Sequence, residues 1–140
     1  MALKVFLDAN ILISVVNKEF PLYNFSSRIL SLAGKSGFNL NTSVLCLAIT
    51  FYFAEKKHGQ KIAKQKLQLL NEHIGICVNS EASVIKALAD PKVVDFEDGL
   101  QYYAALESGC NCIITENIAD FHFSDMEVID SKNFCKTYLF

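Results

Sequence analysis

Residues 96–121 read FEDGLQYYAALESGCNCIITENIADF, and this stretch decides the fold. Asp95 stands where an N-cap belongs, so a helix is expected from Phe96 to Ser108, with Gly109 ending it. Cys112 to Thr115 is short and apolar, as a strand buried on both faces is. Polar residues Glu116, Asn117 and Asp120 follow at once. Working outward, the same alternation recurs. Lys4–Leu7 reads as a strand stopped by Asp8, and Ile11–Val16 as a helix broken at Pro21. A second helix is expected over Leu22–Ala33, and Phe38–Leu40 reads as the next strand. Thr42 or Ser43 caps a helix running to His58, where Gly59 closes it. Gln60–Glu72 is helical and Ile74–Val78 a strand. Ser80 caps a helix over Glu81–Ala89, which Asp90-Pro91 ends. Met126–Ile129 is a further strand, and a short helix follows from Ser131. Strands separated by helices require right-handed crossovers and a parallel sheet covered on both faces. The expected architecture is a three-layer α/β/α domain with four or five parallel strands, spanning 1–140 as one unit.

Composition sets the outer bounds. The chain is 51% hydrophobic and 20% charged, too apolar for a disordered segment and sufficient for a core. Asp8 interrupts the first apolar run before a signal-peptide core could form. No run reaches the ~18 apolar residues of a membrane span; Val44–Ala54 is too short. Cys46, Cys77, Cys110, Cys112 and Cys135 are scattered without zinc-site or redox-motif spacing, which suits small buried hydrophobes in a reduced, cytoplasmic protein. His58, His73 and His122 have no ligand spacing and read as surface or loop residues. Net charge is −2, so the chain has no global basic field for nucleic acid.

Ligands of open α/β sheets bind outside the carboxyl ends of the strands, where three acidic segments fall. Asp8 follows the first strand. It is a turn former or helix cap in one reading and a ligand for a hard cation such as Mg²⁺ or Mn²⁺ in the other. Asn10 either orients Asp8 or caps the next helix. Asp98 sits in a first helical turn whose acids also suit the helix dipole. Glu97 points about 100° away from it and is the weaker candidate. Glu116 and Asp120 are either plain loop residues or further ligands. If the three segments converge, their carboxylates repel and call for a cation, which could activate water for phosphodiester hydrolysis. No serine–histidine–acid set and no Gly-rich phosphate loop is present.

The opening VFLDANILIS (residues 5–14) and the closing stretch quoted above resemble the PIN (PilT N-terminus) domain family, the latter in a sub-group with a Thr-x-Asn-x-x-Asp-Phe pattern. Thr115, Asn117, Asp120 and Phe121 match that pattern. The resemblance implies a parallel sheet flanked by helices and an endoribonuclease dependent on Mg²⁺ or Mn²⁺. It makes Asp8, Asp98 and Asp120 the metal-holding carboxylates, with Asn117 assisting. It also implies a bacterial toxin restrained by a small antitoxin protein, and a homodimer. One departure stands out. The family carries a Glu early in the helix after the second strand, where this chain has Ala48 and Ile49. Glu55, the first acid of that helix, lies about 9 Å beyond Ile49 at ~1.5 Å per residue.

Lysines crowd positions 56–66. Lys57, Lys61 and Lys64 follow i, i+4, i+7 spacing and would share one helix face, either plainly solvated or set to touch an RNA backbone or an acidic partner. Of the consecutive aromatics Phe51, Tyr52 and Phe53, at least one should meet another helix or subunit. Two other readings compete with the nuclease. A degenerate PIN fold would bind RNA or a protein without cutting. A phosphatase of the haloacid-dehalogenase kind would need an acid where Asn10 stands.

Overall fold

The computed structural model describes residues 2–139. Five parallel strands, β1 (Leu3–Leu7), β2 (Phe38–Ser43), β3 (Gly75–Cys77), β4 (Cys112–Ile114) and β5 (Glu127–Ile129), form one sheet in the order β3-β2-β1-β4-β5. Seven α-helices connect and flank them: α1 (Ala9–Val16), α2 (Tyr23–Leu30), α3 (Val44–His58), α4 (Gln60–Asn71), α5 (Glu81–Ala89), α6 (Phe96–Glu107) and α7 (Ser131–Tyr138). The pair α5–α6 covers one face, with α6 over β2 and β3. On the other face α2 packs between α1 and α7. This is the expected three-layer α/β/α architecture, and the chain reverses direction across the sheet at β1. The strand order switches there, so the carboxyl ends of β1 and β4 frame the crevice.

The central strands are buried because both faces are covered. Val5, Phe6, Leu7, Ile113 and Ile114 have no exposed surface. Ile11, Leu12 and Ile29 pack onto them from the α1–α2 side, together with Phe134 of α7. Each such side chain contributes roughly 1.5–3 kcal/mol by leaving water. All five cysteines are buried free thiols, as expected. His73 and His122 are exposed, whereas His58, at the end of α3, is half-buried with an unpartnered Nε2. Among the described residues no helix is long and apolar enough to cross a membrane.

Three expectations need correction. Strand β2 runs on to Ser43 rather than stopping at Leu40, because its polar residues are satisfied inside the sheet. Thr42 Oγ1 donates to the Leu7 carbonyl at 2.8 Å, and Asn41 Nδ2 to Asn39 Oδ1 at 2.8 Å. Helix α2 stops at Leu30, and the bonds from Leu32 N to Ile29 O and from Ala33 N to Leu30 O tighten the chain into turns. The lysine trio does not share a helix face. Gly59, at φ 84°, separates α3 from α4, so Lys57 lies on one helix and Lys61 and Lys64 on the next. The Lys57 ammonium donates to the Asn17 carbonyl.

Gly99 lets α6 come close to its neighbours. A Cβ there would stand 2.6 Å from Val93 Cγ1 and 3.5 Å from Ala87 Cβ. Gly99→Ala gains helix propensity of about 1 kcal/mol but meets a contact inside normal packing distance. The expected net is a loss of about 1–2 kcal/mol, read as a lower midpoint in urea unfolding.

Candidate active site

Asp8 ends β1 and opens α1. Its Oδ1 accepts the N–H of Ala9, the first residue of α1, at 2.7 Å. Its Oδ2 accepts the Thr115 hydroxyl at 2.7 Å and, more weakly, Asn10 Nδ2 at 3.4 Å. Asp8 is therefore both the cap and a fixed carboxylate at the mouth of the crevice. Thr115 is fully buried at the end of β4. Its Oγ1 also accepts from Asn10 Nδ2 at 3.2 Å and from the Asn117 backbone N–H at 3.0 Å. Asn10 Oδ1 in turn accepts the Glu116 N–H at 3.2 Å. These bonds tie the end of β1 to the loop after β4.

Asp98 enters from the first turn of α6. Asp95 caps that helix, its Oδ1 accepting from Glu97 N at 2.9 Å and Asp98 N at 3.3 Å. The cap leaves the Asp98 side chain free, and the carboxyl is pushed up to about 7. Burial is the main cause, followed by the negative charges of Asp95, Asp120, Asp8 and Glu97. Asp8 is raised as well, chiefly by burial, with Asp120 adding repulsion against the lowering effect of its hydrogen bonds. Asp8, Asp98 and Asp120 thus feel one another's charge although they come from three distant segments. Asp120 sits on an exposed 3₁₀ turn, Ile118–Phe121, anchored by buried Phe121.

The other candidates separate clearly. Asn117 is exposed at the start of that turn, and its backbone is held by Thr115. Glu97 is exposed beside Asp98. Glu116 is turned elsewhere, because its Oε2 accepts the Ser131 N–H at 2.9 Å at the start of α7. It serves that helix end rather than the acid group. Asn10 is an orienting amide, as its contacts with Asp8, Thr115 and Glu116 show; the second acid of a dehalogenase-type phosphatase is absent. Two participants carried no role in the sequence reading. Thr115 was visible in the closing motif, but its bond to Asp8 was not. Cys46 Sγ lies 3.8 Å from Asp8 Oδ1, and burial with the charge of Asp8 pushes its thiol up to about 12. Only its place one turn into a Ser43-capped helix hinted at this.

The fit to a divalent cation can be judged from these donors. After burial, the charged groups that raise Asp98 are all acidic, so positive charge would relieve the site. Among the described residues no three His, Cys, Asp or Glu side chains stand close enough to grip an ion directly. The donor set suits a hard cation such as Mg²⁺, which binds through one or two carboxylates and keeps several waters. The second acid expected early in α3 has no replacement. Ala48 is exposed, Ile49 is half-buried against the core, and Glu55 is exposed further along the helix.

Thr115→Val is isosteric but removes the hydroxyl. It leaves a buried Asp8 oxygen short of its best donor, at a cost of about 1–3 kcal/mol. A fall in the thermal midpoint of roughly several degrees checks the role given to Thr115.

A parallel α/β/α sheet with carboxylates gathered at its switch point defines the class of this protein. Within that class the chain belongs to the PIN domain family, whose model matches residues 4–119. Ribonuclease VapC1 of Aquifex aeolicus (strain VF5) is 28% identical over 139 residues, covering 96% of this chain and 95% of the relative. Two solved structures share the fold. VapBC2 of Rickettsia felis, bound to a DNA fragment from its promoter, superposes with a TM-score of 0.69 at 18% identity, covering 91% of this chain and 98% of the other. VapBC-1 of nontypeable Haemophilus influenzae gives 0.66 at 21% identity, with 93% and 99% covered.

Proposed function

We propose that this protein is a metal-dependent endoribonuclease of the VapC kind, the toxin of a toxin–antitoxin pair. It would act in the cytoplasm as a homodimer and be restrained by a small antitoxin protein. The observation that carries the reading is the mutual repulsion of Asp8, Asp98 and Asp120 at the sheet's carboxyl edge. Such a cluster is costly unless it serves a cation. The similarity to a ribonuclease along nearly the full length of both chains supports it, as do the VapBC structures sharing the fold.

Asp8, Asp98 and Asp120 are the residues assigned to Mg²⁺ or Mn²⁺, which one or two of them would hold directly and the remainder through the ion's waters. The cation supplies a Lewis acid that lowers the pKa of water and offsets charge on the phosphate. The chain's own residues do the rest. Thr115 and Asn10 fix the Asp8 carboxylate, and the same threonine pins the backbone of Asn117, whose side chain would assist as a neutral oxygen ligand or a substrate contact.

The test is cleavage of a mixed tRNA and mRNA pool with Mg²⁺, Mn²⁺ or EDTA, beside the Asp8→Asn/Asp98→Asn double variant. Metal-dependent cutting confined to the unaltered protein supports the proposal. Equal cutting by the double variant, or none in either metal, sinks it. The second outcome favours a PIN fold that binds RNA or a protein without cutting, a reading supported by Ala48 and Ile49 in place of an acid.

A further inference from the structure

Of the five buried thiols, two meet. Cys77 ends β3 and Cys110 follows α6, and their sulfurs lie 3.9 Å apart, close to van der Waals contact. Cys46 and Cys135 face oxygen instead, on Asp8 and on the Phe25 carbonyl. Thirty-three positions separate Cys77 from Cys110, so no sequence motif announces the pair. The fold brings them together. Gly109, at φ 79°, turns the chain out of α6. The Cys110 N–H then donates to the Ala105 carbonyl at 2.9 Å, and the Asn111 N–H to the Lys4 carbonyl at 2.6 Å. These bonds hold Cys110 at the amino end of the sheet, at the opposite end of α6 from Asp98.

The two sulfurs are not equivalent. A hydrogen bond from Cys110 brings the Cys77 thiol down to about 6 against the opposing effect of burial, and Ser108 and the Lys4 ammonium lower it further. Cys110, the donor, is pushed up. Lys4 Nζ is fixed beside them by donating to the Ser108 carbonyl at 2.5 Å. Burial raises the other three thiols, Cys46 and Cys112 to about 12 and Cys135 in the same direction. The thiolate is the nucleophilic form of cysteine, so Cys77 is the attacking sulfur and Cys110 the resolving one. Cys77 is only 1% exposed and Cys110 8%. An oxidant must therefore be small, and it enters when the three-residue edge strand β3 opens locally.

We infer that Cys77 and Cys110 are a peroxide-sensitive pair that closes into a disulfide, stapling the helical layer formed by α5 and α6. The Cys77 thiolate attacks one oxygen of hydrogen peroxide. The O–O bond breaks, hydroxide leaves and takes up the thiol's proton, and Cys77 becomes a sulfenic acid. The Cys110 sulfur then attacks the Cys77 sulfur, the S–O bond breaks, and the hydroxyl leaves with the Cys110 proton as water. Two thiols and one peroxide give one disulfide and two waters, and the two electrons lost by sulfur reduce the peroxide. Closure brings the sulfurs from 3.9 Å to ~2.05 Å. The closed loop, residues 77–110, contains all of α5 and α6 and so carries Asp98. Under reducing conditions the pair stays as two thiols.

The test treats the reduced, folded chain with excess hydrogen peroxide, caps the remaining thiols with iodoacetamide and maps the peptides without reduction. The expected product is one Cys77–Cys110 disulfide, reversed by dithiothreitol, with two of the five thiols lost. The oxidised chain should melt roughly 5–10 °C above the reduced one, as closing a loop of this length predicts. Cys110→Ala should stop at a sulfenic acid on Cys77 that dimedone traps, Cys77→Ala should give no crosslink, and Cys112→Ala should crosslink as the parent does. Each variant is first checked for a cooperative melt, and the parent's own peptide map decides the matter if one fails to fold. A treated chain that keeps all five thiols, or that joins Cys110 to Cys112, overturns the pair. So does a Cys77–Cys110 bond that forms only after unfolding in urea. A native crosslink that lowers the melting midpoint overturns the staple. None of these measurements uses RNA, so the inference stands or falls apart from the ribonuclease reading.

Discussion

Asp98→Asn is expected to reduce RNA cleavage by at least a hundredfold while making the metal-free protein more heat-stable at pH 8. The two effects share one cause. Asp98 stands among Asp95, Asp120, Asp8 and Glu97 and is held at about 7, against 3.8 for a free side chain. Between those values the folded chain binds more protons than the unfolded one, so stability falls as pH rises through this window. The whole penalty is present above pH 7 and vanishes below about 4. A neutral amide escapes it. The gain in thermal midpoint should therefore be largest near pH 8 and fade towards pH 4. Solvent screening at this half-open position keeps it to roughly a few degrees. Added Mg²⁺ or Mn²⁺ should raise the midpoint of the parent protein more than that of the variant, because a cation relieves the same repulsion. Scanning calorimetry at pH 5 and pH 8, with and without metal, reads all of this. A variant that loses stability at pH 8, or that cleaves RNA at the parental rate, would contradict the place given to Asp98.

The second large effect runs in the other direction. Ile49→Glu should strengthen Mn²⁺ binding about tenfold or more and raise cleavage at limiting metal. Ile49 lies three residues after Cys46, whose thiol touches the Asp8 carboxylate region at 3.8 Å. One turn of helix separates them, so a carboxylate at 49 starts close to the existing acids. Part of the benefit is lost because Ile49 packs partly against the core, at about 1–2 kcal/mol of stability. Isothermal titration with Mn²⁺ separates the two effects from folding, which a parallel urea melt follows. Unchanged affinity would mean that position 49 faces away from the cation, and the chain's departure from the family pattern would then carry no catalytic consequence.

Much of this was legible in the residues themselves. Continuous apolar runs at Lys4–Leu7 and Cys112–Thr115 marked buried parallel strands. Asp95, Ser43 and Ser80 marked helix starts, and each accepts the expected backbone N–H. The gathering of Asp8, Asp98 and Asp120 followed from topology alone, since a parallel sheet brings all its carboxyl ends to one edge. What stayed hidden depended on three-dimensional partners. The extension of β2 through Asn41, Thr42 and Ser43 was not visible, because polar residues at a helix start read as caps while Thr42 bonds the Leu7 carbonyl of β1 and Asn41 bonds Asn39 within its own strand. The lysine spacing looked like one face because a period of 3.6 takes no account of a glycine at positive φ. The diversion of Glu116 to Ser131 could not be foreseen, because a loop carboxylate gives no sign of which helix end it will reach.

The outermost strands of the sheet, β3 and β5, are three residues each. An edge that brief offers an incoming chain very few ladder hydrogen bonds, too few to template a growing stack. Assembly by adding strands is therefore poorly supported at either margin, which guards the folded protein against fibrous self-association. Recognition is left to helical surfaces, where side-chain identity rather than bare backbone decides who binds.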